Sequence, residues 1–280
     1  MATIGLLHPG DMGSVVGACA VAAGSRGLWA SESRSADSRE RAAAAGLEDA
    51  GRLAAVVAAC DVVISVCPPA AALDLARQVA ALRFAGLFVD ANAVSPETAR
   101  QIGAAVEAGG AVFVDGGLVG PPPRAAGTTR LYLSGREAKR AAALFEGTRL
   151  EAIAVSDAPG AASALKMAYA AYTKGVSALL MGVRALAVTE GVDEALLAEW
   201  QRSQPDLPKR SAAAARDNAR KAWRFVGEME EIAATFEAAG LPGGFHEAAA
   251  EIYRRLAPYK DTATPPSVSD LVGPLTHRPS

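Results

Sequence analysis

The chain has 280 residues, of which 51% are hydrophobic, and a formal charge of −2 from 28 Lys+Arg and 30 Asp+Glu. Such a chain can bury a sizeable core and is not disordered overall. With no basic excess, no nucleic acid or anionic membrane is expected as a partner, while a local basic site for a small acidic molecule stays possible. Cys19, Cys60 and Cys67 show no CxxC spacing, so neither a disulfide framework nor a metal site is expected, and a reducing cytoplasm is the simple location. The opening MATIGLLHPGDMG has no basic leader segment, and no apolar run reaches the roughly 18 residues of a membrane span.

Short apolar runs then alternate with alanine-rich helical stretches. Strands are expected at Thr3–Leu7, Leu28–Ser31, Asp61–Cys67, Gly86–Asp90, Ala111–Asp115, Arg130–Ser134 and Leu150–Val155. Helices are expected at Gly13–Ala23, Arg39–Ala45, Gly51–Ala59, Ala71–Leu82, Ser95–Ala108 and Glu137–Phe145. This order predicts an α/β Rossmann domain with a mostly parallel, doubly wound sheet over residues 1–157. After Pro159 the pattern turns all-helical: a long helix within Gly160–Gly191, then Asp193–Trp200, one helix over Ser211–Ala239, and Phe245–Ala257. Residues 158–280 are thus expected to form an all-α substrate-binding and dimerisation domain. The tail from Thr262, with Pro265, Pro266, Pro274 and Pro279, reads as a loose end.

The turn between the first strand and first helix, His8-Pro9-Gly10-Asp11-Met12-Gly13, sits where a glycine-rich loop binds pyrophosphate. Gly10 lets backbone approach the phosphates and Gly13 lets the helix pack on the sheet, but the first glycine of GxGxxG is replaced by His8. At the second strand's end, Ser31-Glu32-Ser33-Arg34-Ser35 with Arg39 makes a better nest for a 2′-phosphate than a clamp for free ribose hydroxyls. NADP is therefore favoured over NAD, with Glu32 as the rival signal. Cys67-Pro68-Pro69 and Asp90-Ala91-Asn92 lie beyond strand ends, where ribose and nicotinamide would rest; Asn92 is either a donor to the cofactor or a turn residue capping the next helix.

These segments resemble the β-hydroxyacid dehydrogenases of the 6-phosphogluconate dehydrogenase superfamily. The likeness runs through IGLLHPGDMG, Ser33-Arg34-Ser35, VDANAVSPETA (89–99), VDGGLVGPPPRAAGTTRLYLSG (114–135), GAASALKMAYAAYTKG (160–175) and GEMEEIAATFEAAGLP (227–242). It implies a Rossmann domain joined by one long helix to a helical domain. It also implies Lys166 as the acid/base between nicotinamide and substrate, and Val119, Gly120 and Pro121 in the substrate-binding stretch. Three polar family positions are altered: a serine falls on Val119, an asparagine on Ala170 and a Lys-Asp pair on Gly227 and Glu228. That puts the usual short hydroxyacid in doubt and places the chain on a divergent branch.

At 3.6 residues per turn, Lys166, Tyr169, Ala170, Thr173 and Ser177 share one helix face. Tyr169 then reads as a second catalytic candidate and Thr173 as a substrate contact, with Lys174 off to one side. Trp223, Glu228 and Glu231 are candidates for closing the substrate pocket, and His246 for capping or packing. The leading reading is an NADP-dependent oxidoreductase acting on a small hydroxy or oxo compound, as a homodimer through the helical domain. Imine reduction and a non-catalytic NADP-binding sensor remain as alternatives.

Overall fold

The computed structural model describes residues 1–277. Contacts divide the chain into two compact units, one spanning Met1–Met167 and one beginning at Ala168.

In the first unit eight strands form one sheet: β1 (Thr3–Leu7), β2 (Arg26–Trp29), β3 (Glu48–Asp49), β4 (Val62–Ser65), β5 (Leu87–Asp90), β6 (Val112–Val119), β7 (Thr129–Ser134) and β8 (Leu150–Ser156). Their order is β3-β2-β1-β4-β5-β6-β7-β8, and every pairing is parallel except β6 with β7. The direction of winding reverses between β1 and β4, the place where an open α/β sheet leaves a crevice at the carboxyl ends of its strands. The two-residue β3 was not legible in the sequence, because Glu48 and Asp49 are exposed and carry no apolar signal.

Side-chain alternation builds a core on each face of the sheet. Ile4, Leu6, Val62, Ile64, Leu87, Val89 and Val114 point to one core. There they meet Val16, Cys19 and Ala20 of α1 (Asp11–Ala22), Ala42 of α2 (Ala36–Ala44), and Ala138 and Ala141 of α6 (Ala138–Ala143). Leu7, Val63, Phe88 and Phe113 point to the other, against α3 (Leu53–Ala59), α4 (Pro69–Ala81) and α5 (Pro96–Ala108). Helix starts follow local chemistry. Pro69 and Pro96 sit in first turns, where a missing N–H costs nothing, and the Ser95 hydroxyl accepts from Thr98 N–H at 3.1 Å.

Helix α7 runs from Ala161 to Thr189. The second unit continues with α8 (Asp193–Ser203), α9 (Leu207–Asn218), α10 (Ala222–Ala238), α11 (Gly244–Leu256) and α12 (Val268–Thr276). The single helix expected over Ser211–Ala239 is corrected: a short 3₁₀ turn at Ala219–Lys221 separates α9 from α10. Ala219 and Ala222 are fully buried at that bend, so packing overrides the unbroken helical propensity of the sequence. The tail is corrected as well. Ser267 and Asp270 form a reciprocal capping box that starts α12, Pro274 lies inside that helix, and Leu271 is buried. Pro279 falls outside the described residues. No helix among the described residues is long and apolar enough to cross a membrane.

Arg184 of α7 pins this unit together. It grips Asp193 with Nε at 2.6 Å and Nη2 at 2.9 Å, and donates through Nη1 to Ser211 Oγ at 2.9 Å. Such a buried bidentate pair is costly to break from one side, because the remaining carboxylate is left without its partner. Arg184→Ala is expected to destabilise the second unit by about 3 kcal/mol, read as a lower urea midpoint at unchanged m-value.

Candidate active site

The turn after β1 has the geometry of an anion cradle. His8 has φ +66°, the left-handed region normally given to glycine, and its carbonyl accepts Gly10 N–H at 2.8 Å. A Cβ on Gly13 would lie 2.5 Å from that carbonyl, so the first turn of α1 reaches the strand end only as glycine. A Cβ on Gly10 would meet nothing within 4 Å, leaving open space beside the backbone. No side chain caps α1 at Gly10, so its first-turn N–H groups remain able to hold a phosphate, as a dinucleotide requires. The Asp11 carboxylate is drawn aside by Arg124 at 2.8 Å, and the Arg41 guanidinium braces the loop through the Pro9 carbonyl at 3.2 Å.

The loop after β2 forms the second wall. Asp49 accepts from Ser31 N–H and Gly51 N–H, and Arg39 donates to the Ser31 carbonyl at 3.2 Å. Arg39 therefore braces the loop. The Ser35 hydroxyl caps α2 by accepting from Ser38 N–H at 3.3 Å. Ser33 has φ +59°. The Arg34 guanidinium has no hydrogen bond or ion pair among the described residues. Together His8, Glu32, Ser33, Arg34 and Gln78 line a cleft of about 270 Å³ with apolar walls from Leu53 and Leu75. His8 is held neutral, its pKa pushed down to about 4 by burial and then by the Arg34 charge.

Further along the carboxyl edge, two buried carboxylates face each other across neighbouring strands, with Asp90 in register with Asp115. Asn92 Oδ1 accepts from Cys67 N–H, while its amide donates to Ser65 Oγ and Asp90 Oδ1. In the structure the Asn92 amide bonds inward: its donation to Ser65 ties β4 to the turn after β5, and its donation to Asp90 is local. It does not cap α5, a role Ser95 fills. Burial first, and the Asp115 charge second, raise the Asp90 pKa to about 8. Burial first also pushes the Cys67 thiol up to about 12, so it is not a nucleophile.

Asp115 receives Ser134 Oγ at 2.8 Å, Ser163 N–H at 3.0 Å and Ser163 Oγ at 2.5 Å, while Ser134 Oγ accepts Ala162 N–H at 3.0 Å. This caps the start of α7. One turn on, Lys166 Nζ donates to the Leu118 carbonyl at 2.6 Å. Leu118 lies three residues past the last β5 partner on β6, so the amine sits on the carboxyl edge of the sheet. Desolvation lowers the Lys166 pKa to about 8. Gly117 makes the approach possible, since a Cβ there would lie 2.8 Å from the Ala162 carbonyl and 2.9 Å from Lys166 Cβ. The Val119 side chain is buried, Gly120 has φ +118°, and the Pro121 carbonyl accepts from Thr129 Oγ1.

The remaining candidates lie in the second unit. The Tyr169 ring is half-exposed, whereas Ala170 is buried, so the predicted face does not present its members alike. Thr173 Oγ1 donates to the Tyr169 carbonyl and Ser177 Oγ to the Thr173 carbonyl, and both line a groove with Arg210 and Asn218. Glu228 is paired with Lys174, both largely buried, and is thus committed within its own unit. Lys260 lies over the Trp223 ring at 4.5 Å. His246 packs edge-on against Phe236 and Phe245, while Gly243 occupies the cap position of α11. Among the described residues no cluster of His, Cys, Asp and Glu could hold a metal. The sequence reading missed Asp49, Gln78, Asp115, Ser134 and Ser163. Of these only Asp115, inside a buried strand, carried a signal.

A doubly wound sheet with an open glycine turn at its winding reversal defines a dinucleotide-binding Rossmann domain. The chain belongs to the family of the NAD binding domain of 6-phosphogluconate dehydrogenase, whose model matches residues 1–148. A domain of unknown function, DUF1932, matches residues 187–256. Among solved structures, a conserved hypothetical protein of Sinorhizobium meliloti is 29% identical at TM-score 0.68, covering 98% of this chain and 96% of its own. A Mycobacterium tuberculosis 3-hydroxyisobutyrate dehydrogenase with L-serine is 22% identical at TM-score 0.70, covering 99% and 100%. A Streptomyces aurantiacus imine reductase shares the fold at 18% identity and TM-score 0.56, covering 98% and 100%. The fold is thus shared with hydroxyacid dehydrogenases and with imine reductases, and the matching domain family points to a nicotinamide dinucleotide as cofactor.

The Asp90 pKa carries a stability consequence. Its folded value of about 8 lies above the roughly 3.9 of an unfolded aspartate, so its contribution is fully present below about pH 4 and fades as pH rises to about 8. Asp90→Asn mimics the protonated acid. Its Tm is expected to gain on wild type progressively from pH 5 to 8, and a constant difference across that range would refute the assignment.

Proposed function

We propose that the protein is an NADP-dependent oxidoreductase that moves a hydride to or from a small hydroxy or oxo compound, with Lys166 as acid/base. The observation that carries this reading is a desolvated lysine amine fixed at the carboxyl edge of a nicotinamide-binding sheet. The NADP preference is supported by the Arg34 guanidinium, unpaired among the described residues, and by Ser33 in the same cleft, with Arg39 and Ser35 bracing the loop around them. Glu32 in that cleft is the feature an NAD reading would use. The Gly10 turn and the first-turn N–H groups of α1 would hold the pyrophosphate.

When bound, the nicotinamide supplies or accepts the hydride. The protein's part is the matching proton. Lys166 Nζ takes the hydroxyl proton during oxidation and returns it to the carbonyl oxygen during reduction. A pKa near 8 puts both protonation states within reach at neutral pH. The Leu118 carbonyl accepts from either amine or ammonium, so the nitrogen keeps its place as it titrates. Oxidation needs the neutral amine and should rise as pH passes through about 8. Reduction needs the ammonium and should fall over the same range.

The buried, apolar Val119 and Ala170 offer no side-chain hydrogen bond to a carboxylate, which favours a substrate other than the family's short hydroxyacids and keeps imine reduction as the second reading. Steady-state turnover with NADPH over ketoacids, aldehydes and imines tests both. Lys166→Met is expected to lower kcat by about 10²- to 10⁴-fold on carbonyl substrates while leaving NADPH affinity nearly unchanged. An unaffected kcat overturns the acid/base role, and NADPH binding without any turnover favours a sensor. Tyr169, half-exposed, is the second catalytic candidate, and Tyr169→Phe measures its share.

The dimer is part of this proposal. Tyr172, Leu179 and Leu186 are exposed on α7 at seven-residue spacing, a seam suited to pairing with a second helix. Sedimentation should show a dimer at micromolar concentration, and a monomer there would remove this part of the proposal.

A further inference from the structure

His8 stands where the dinucleotide motif has glycine, and the backbone keeps glycine's conformation at φ +66°. A side chain in the left-handed region is strained, because its Cβ crowds the backbone carbonyl. His8 Nδ1 is also buried without a hydrogen-bond partner, a second penalty because the atom has lost water and gained nothing. Both penalties fall on one residue, and that residue lines the cleft holding Arg34, Ser33 and Gln78. Local strain combined with an orphaned polar atom at a ligand cleft indicates a partner that arrives with the ligand.

Resting on the NADP reading above, we propose that His8 is a cofactor-selecting residue that takes up one proton when the 2′-phosphate of NADP docks against it and Arg34, so that the preference for NADP over NAD strengthens as pH falls. In the free protein, burial and the Arg34 charge keep the ring neutral. An arriving phosphate offsets the Arg34 field and offers an acceptor to the ring, which makes the imidazolium the favoured form. The balance is simple: one proton moves from solvent to imidazole per phosphate bound, and no covalent bond changes. The 2′-hydroxyl of NAD brings no charge and draws no proton.

The surroundings allow this assignment. The loop after β2 contributes Arg34 and Glu32, while α3 and α4 contribute only the uncharged Leu53, Leu75 and Gln78. Arg41 of α2 is held by the Pro9 carbonyl, and Asp11 of α1 is paired with Arg124. The phosphate's own second proton, with a pKa of about 6, acts in the opposite sense, because its uptake weakens attraction to arginine. Tighter binding at lower pH therefore has to originate in the protein.

Titration calorimetry of the full chain with NADPH and with NADH, in buffers of different ionisation enthalpy, tests the idea. The NADPH Kd is expected to fall about three- to tenfold per unit between about pH 8 and 6, with uptake approaching one proton, while the NADH Kd stays flat. His8→Asn, which tolerates the left-handed backbone, should flatten the NADPH slope, and Glu32→Gln should retain it. An NADPH slope equal in wild type and His8→Asn, or lost in Glu32→Gln, overturns the role of His8. Tight NADPH binding that ignores pH overturns this inference alone. An NADPH affinity no better than that of NADH at any pH takes the NADP reading down with it.

Discussion

The buried carboxylate of Asp115 is the constraint on which the first unit's chemistry depends. It accepts three hydrogen bonds from Ser134 and Ser163, and in doing so joins the middle of β6 and the end of β7 to the first turn of α7. A helix start buried without acceptors would leave its N–H groups orphaned, and a negative charge there is favoured by the helix dipole. The cap also sets the helical phase. With Ser163 fixed on Asp115, Lys166 comes round one turn later onto the Leu118 carbonyl, and glycine at 117 gives it room. The position of the amine thus follows from this bond network, while its lowered pKa follows from desolvation.

Asp115 constrains its neighbour as well. Complete burial, and then the charge of Asp115 in register on the adjacent strand, both disfavour a charge on Asp90. Asp90 therefore keeps a proton, and the Asn92 amide spans from it to Ser65 and the Cys67 N–H. The carboxyl ends of β4 and β5 are tied together by these polar contacts. A rigid rim would suit the hydride transfer proposed above, in which donor and acceptor must be held within a narrow distance.

Much of this architecture was legible in the sequence, and the physical reason is periodicity. TIGLL, DVVISVC and GLFVD are buried on both faces, so they stand out as unbroken apolar runs between amphipathic helices. What escaped was information held in partners rather than in patterns. The 3₁₀ turn at Ala219–Lys221 arises where two alanines pack, in a stretch whose propensity is helical throughout. The helix after Pro265 and Pro266 depends on a capping box four residues wide. At the site, Gly10, Gly13 and Lys166 were readable from spacing and resemblance. For Asn92 the sequence leaves its role open, because a turn asparagine that bonds outward and one that bonds inward look the same in a linear sequence.

His8 is the point where sequence and backbone disagree most. The chain retains the left-handed φ and the short carbonyl-to-Gly10 contact of a glycine turn, yet places an imidazole there. Such a substitution survives only if the neighbours hold the backbone firmly, and Gly13 does so by packing within reach of the same carbonyl. The open face at Gly10 is thereby preserved for phosphate while the adjoining cleft gains a titratable ring beside Arg34. The first unit thus carries two buried groups displaced from their ordinary pKa in opposite directions, His8 toward acid and Asp90 toward base. Both displacements favour the uncharged form.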